Sequence, residues 1–117
     1  MEIVLSSEEY RKFDQQIKEL VYGCFSRGDI IIFANNKAKT IANLVCNFII
    51  NKFIKDDPEK KAAYQALIVP ITHLIRKELH IGDWLLDRKP SLINTIYGAI
   101  TGYLRMEGII RIYYPPD

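Results

Sequence analysis

Apolar residues recur at helical spacing through most of the chain, and the residues between the runs mark where elements start and stop. Tyr10, Phe13, Ile17, Leu20, Val21 and Cys24 share one helical face, with the charges on the other. Ser6 with Glu9 three residues on predicts a capping box at the start of that helix, and Gly28 in "SRG" a left-handed C-cap. Before it, Glu2–Leu5 alternates weakly and predicts a short edge strand. "DIIIF" at 29–33 reads either way: three isoleucines favour a buried strand, while Asp29 could cap a helical turn.

A second helix is predicted over 37–55, apolar around most of its circumference. Its narrow polar stripe, Asn36, Thr40, Asn43, Asn47 and Asn51, is either a solvated edge or a seam of asparagines bonding across to a partner helix. Asp57 then Pro58 supplies an N-cap and a first-turn proline for a third helix. Pro70 lacks an N–H and its ring would clash with the carbonyl of Ala66, which predicts a kink or break near 69. "ITHLIRKEL" continues to about 79. Asp83 then caps a short helix through Arg88, Pro90-Ser91 opens the last helix, and "IIRIYY" past Gly108 reads as a strand. The expected fold is therefore mainly α (α+β), a single domain over 1–117 of about five helices. Residues 1–57 supply the N-terminal strand and two helices, and the C-terminal strand pairs the N-terminal one.

The last helix holds Gly98 and Gly102, each costing roughly 1 kcal/mol relative to alanine in a helix interior. Placed at 100° per residue, Leu92, Ile93, Ile96, Ala99, Ile100, Tyr103 and Leu104 form the core arc. Ser91, Asn94, Thr95, Gly98, Thr101, Gly102 and Arg105 form the opposite arc, so both glycines are expected to face outward. Small residues at this spacing let another backbone approach closely.

Composition narrows the class. Hydrophobic residues make up 49% and charged residues 26% of 117, ordinary for a globular domain able to bury its own core. Sixteen basic against fourteen acidic residues leave +2, divided evenly along the chain, so any basic patch must be built by the fold. Cys24 and Cys46 have no metal-binding spacing and sit in apolar periodic settings, which favours buried thiols in a reducing compartment. No signal peptide or membrane span is expected, the most apolar stretch being broken by Asn43, Asn47 and Asn51. The cytoplasm is the expected location.

Catalytic chemistry finds little to use. His73 and His80 are two helical turns apart, and Asp83 serves better as a cap than as a ligand beside His80 and Asp87. Neither phosphate-cradling glycine motif nor a nucleophile elbow occurs. No enzyme, metal or cofactor is expected.

The C-terminal stretch "IGDWLLDRKPSLINTIYGAITGYLRMEGIIRIYY" resembles the winged helix-turn-helix superfamily, which makes residues 58–117 the winged-helix-like part. The resemblance maps Asp83–Arg88 to the first helix, "KPS" to the turn and Ser91–Met106 to the recognition helix. Leu104 and Gly108 become the closing pair and Ile109–Tyr114 a wing strand, whose partner is expected to be Glu2–Leu5 running antiparallel. It implies a small nucleic-acid-binding regulatory protein contacting double-stranded DNA through Arg88, Lys89, Ser91, Asn94, Thr95, Arg105 and Arg111. With a single cation, Arg105, within that helix beyond its start, the chain departs from readers that bring several. The alternative is a non-enzymatic interaction or adaptor module, a homodimer or a complex with another protein. Its interface would be Asn94, Gly98, Thr101 and Gly102, with Asn43 and Asn47.

Overall fold

The computed structural model describes residues 2–25, 37–81 and 89–115. In chain order these form β1 (Ile3–Ser6), α1 (Ser7–Gly23), α2 (Ala38–Ile49), a π-helical turn (Ile50–Ile54), α3 (Pro58–Gln65), α4 (Ile68–Ile81), α5 (Lys89–Met106) and β2 (Ile110–Tyr113). The described residues are mainly helical, with one two-stranded sheet among them. The expectations for 29–33 and for the short helix Asp83–Arg88 lie outside the described residues.

Helix starts follow the side chains that cap them. The Ser6 hydroxyl accepts from the Glu9 N–H at 3.1 Å, and the Ser6 N–H donates back to Glu9 Oε1 at 2.9 Å. That reciprocal pair satisfies two amides that the helix itself leaves open. At α3, Asp57 Oδ1 accepts from the Lys60 N–H at 3.1 Å, with Pro58 in the first turn.

Three helix ends differ from expectation. α1 stops at Gly23 rather than running to Gly28, because the Cys24 N–H turns inward onto the carbonyls of Val21 and Tyr22. α2 widens after Ile49 into a π turn, closed by the Lys55 N–H on the Ile50 carbonyl at 2.7 Å. Lys55 itself holds φ +51, a conformation that L side chains rarely adopt. The third helix breaks at Ala66–Leu67, two residues earlier than predicted. Pro70 thereby falls in the first turn of α4, where its missing N–H would have had no partner.

α1 packs against α2 and α5, and α4 packs against the same two helices, so the four surround one core. Phe13, Ile17, Ile41, Ile49, Ile71, Ile75, Ile96, Ile100 and Leu104 are wholly buried there, and Tyr64 is buried in the same cluster. Predicted core positions Ile93, Ile96, Ile100 and Leu104 hold that place, while Ala99 and Tyr103 are half-buried.

The sheet corrects the predicted strand direction. β1 and β2 run parallel, with Ile3 beside Ile110 and Leu5 beside Ile112. Antiparallel order is forced only where a tight turn joins two strands; here the whole helical domain lies between them and leaves the direction free. This register turns Ile3, Leu5 and Ile110 inward and leaves Val4 and Arg111 outside.

Candidate nucleic-acid interface

The outer side of α5 is set by how the helix ends. Gly108 adopts φ +70, its N–H donates to the Arg105 carbonyl at 3.1 Å, and the Ile109 N–H reaches back to the Leu104 carbonyl at 2.9 Å. This is a Schellman closure, sealed by the buried side chains of Leu104 and Ile109. The closing pair read from the sequence thus has a specific geometry. It reverses the chain so that β2 lies beside the last turns of α5.

Between α1, α5 and β2 runs an open cleft of about 460 Å³. Gly98 and Thr101 of α5 face it, flanked by Tyr10 and Arg11 of α1 and by Tyr97 and Arg105 of α5. A Cβ built on Gly98 or Gly102 would meet nothing within 4 Å, so no internal neighbour requires a glycine at either position. Arg105 stacks its guanidinium over the Tyr10 ring at 5.6 Å, and Lys18 places its ammonium 5.5 Å from the centre of the Tyr97 ring. Such cation–π contacts hold the cations at the rim while leaving their charge toward solvent. Arg111 completes the side from β2, sharing its charge with Glu2 at 3.3 Å in an exposed pair.

The cleft also contains a carboxylate. Burial against α5 raises the Asp14 pKa, opposed by the charges of Lys18 and Arg105. Burial raises the Tyr10 phenol too, with Asp14 adding to it, while Arg105 and a hydrogen bond to Thr101 work the other way. Both groups therefore respond to the same small cluster.

The predicted contact residues are distributed as follows. Asn94 is exposed, Thr95 half-buried, and Arg105 and Arg111 exposed. Arg88 lies outside the described residues, and of Lys89 and Ser91 only the backbone, in the first turn of α5, is described. Thr101 is not on the outward arc. It is 6% exposed, and its hydroxyl donates within its own helix, 2.9 Å from the Tyr97 carbonyl. α1 covers that strip of α5, and the internal bond lets a polar residue sit under it. On α2, Asn43 is half-buried and Asn47 exposed.

Sequence reasoning missed Tyr10, Arg11, Asp14, Lys18 and Tyr97. The α1 residues recur at helical spacing and could have been read as a second face of that helix. Nothing in the sequence told that this face adjoins α5.

Neither a family model, nor a curated protein, nor a solved structure matches the chain. No helix among the described residues is long and apolar enough to cross a membrane.

Proposed function

We propose that this chain is a small winged-helix-like nucleic-acid-binding regulatory protein of the cytoplasm, presenting the outer face of α5 and the adjoining strip of α1 to double-stranded DNA. One observation carries the reading: among the described residues, a helix face open at Gly98 and Gly102 is bordered by Arg11, Lys18, Arg105 and Arg111, the last paired with Glu2, with Asp14 within the cleft. The sequence spreads its charges evenly, and the fold gathers these cations to one side. Arginines and a lysine at the rim suit phosphates, and Asn94 on the exposed arc suits the edge of a base. Glycine lets the duplex backbone approach the helix without a side chain between them.

Fluorescence anisotropy with a labelled random duplex tests this. Four neutralised phosphates give a slope of about −3.6 in log affinity against log salt. Arg11→Ala together with Arg105→Ala should weaken binding and flatten that slope by about two. Absence of salt-sensitive binding at low ionic strength overturns the proposal.

The open space at the two glycines also favours a second reading, an interaction module whose partner packs a helix or strand against α5. Gly98→Leu would then abolish the complex while leaving the unfolding transition intact. An unchanged pull-down and oligomer profile removes this reading.

A further inference from the structure

Among the described residues the sheet has two strands, and the outer edge of each borders a cleft. The Ile3 N–H donates to the Ile109 carbonyl at 2.7 Å, which fixes the parity of the ladder. In a parallel pair, alternate residues turn their amides toward the partner. Ile3 and Leu5 therefore bond inward to β2, and Val4 directs its N–H and C=O to the outer edge of β1. On β2 the same parity turns the backbone of Ile112 outward. Open edges of this kind are templates for another strand.

The two edges differ in charge. The β1 edge borders a groove of about 630 Å³ with an apolar floor of Leu5, Phe53, Ile54 and Tyr64. Glu2, Glu9 and Glu59 rim it, against Lys60 alone. Phe53 and Ile54 of that floor belong to the π turn, which ends at Lys55 with its positive φ. π turns and strained residues are frequent at functional sites. The β2 edge borders a cleft of about 560 Å³ lined by Arg105 and Arg111, the latter paired with Glu2 at 3.3 Å. Met106 and Tyr114 beside it are 88% and 70% exposed.

We infer that a second copy of this chain occupies the β1 groove, its β2 edge adding to β1 so that the sheet continues from one molecule into the next. Charge selects this pairing. Glu2 and Arg111 of one chain already pair with each other at 3.3 Å, so joining β1 to β1 sets Glu9 and Glu59 against their own copies, and joining β2 to β2 sets Arg105 against Arg105. β1 against β2 places the acidic rim opposite the basic one. Because the two surfaces are different, the contact is head-to-tail and extends with concentration instead of closing as a simple two-fold dimer. The inference does not rest on nucleic-acid binding. Arg105 and Arg111 border both regions, so the test contains no nucleic acid.

Sedimentation velocity of the full chain, from low micromolar to hundred-micromolar concentration, reads the assembly. The expected result is a mass that grows with concentration and falls back as salt is raised. Val4→Pro and Ile112→Pro each remove one outward N–H without touching the β1–β2 ladder. Each variant alone should remain monomeric, and their equimolar mixture should give a discrete heterodimer through the one intact pair of edges. A wild-type chain that stays monomeric throughout overturns the inference. So does association by Ile112→Pro alone, which would mean that β1 pairs with its own kind, or association indifferent to salt. Circular dichroism checks that the proline variants fold. If either does not, Glu59→Lys and Arg105→Glu at exposed positions replace them. Each should lose association alone and regain it when mixed, and failure of the mixture to associate overturns the inference equally.

Discussion

Gly108 holds φ +70 where α5 ends, whereas Gly98 and Gly102 stand in ordinary helix with open space where a side chain would project. The three residues should therefore respond oppositely to alanine. Gly98→Ala should stabilise the fold by roughly 0.5–1 kcal/mol, since it removes the entropy cost of a helical glycine and meets nothing. Gly108→Ala should destabilise it by about 1 kcal/mol, because a Cβ is forced into the left-handed region. Urea unfolding midpoints separate the two signs. A second residue-scale expectation concerns Cys46, whose thiol burial pushes up from 9.0 to about 11. Between those values the unfolded thiol ionises while the folded one keeps its proton. The folded state then binds more protons, and stability falls as pH rises through that window. Unfolding midpoints followed from about pH 9 to 11 should drop more steeply for the wild type than for Cys46→Ala.

Elements were legible wherever a local signal decides them. Ser6 with Glu9, Asp57 with Pro58, and Leu104 with Gly108 each specify a boundary within a few residues of chain, and each is found in the structure. What failed depends on neighbours distant in sequence. The direction of β2 is set by a strand more than a hundred residues away, and the burial of Thr101 by α1 lying over it. The cleft residues of α1 were missed for the same reason. Pro70 lies between these cases: the sequence showed that a helix must break near it, and Leu67 instead of Val69 became the junction. With the proline in the first turn of α4, Pro70→Ala restores an N–H that has no helical partner and relieves no clash. It should change stability by less than about 1 kcal/mol, whereas a proline introduced at exposed Arg76 in the same helix should cost about 3 kcal/mol or more. Thermal unfolding of the two variants checks whether the break belongs to the proline or to the packing around it.

For the whole molecule, folding converts an even distribution of charge along the chain into two unlike sides. Arg11, Lys18 and Arg105 gather around α5, Glu9 and Glu59 border the groove at the outer edge of β1, and the Glu2–Arg111 pair at 3.3 Å joins the two sides. Asp14 is a carboxylate within the basic cleft whose pKa burial raises against the pull of Lys18 and Arg105. If phosphates occupy that cleft, Asp14 opposes them, and its removal must strengthen binding. Asp14→Asn keeps the shape and deletes one negative charge, worth roughly 1 kcal/mol at this kind of separation, or about fivefold in duplex affinity at low salt. The gain should shrink as salt screens the cleft. Lowering the pH protonates Asp14 sooner than an ordinary aspartate, so the wild type should approach the variant as the pH falls toward that raised range. Anisotropy titrations of both proteins across salt and pH read all three trends. Equal affinities at every condition would mean that the cleft does not face a polyanion, and would leave the partner-packing reading of α5 as the one to pursue.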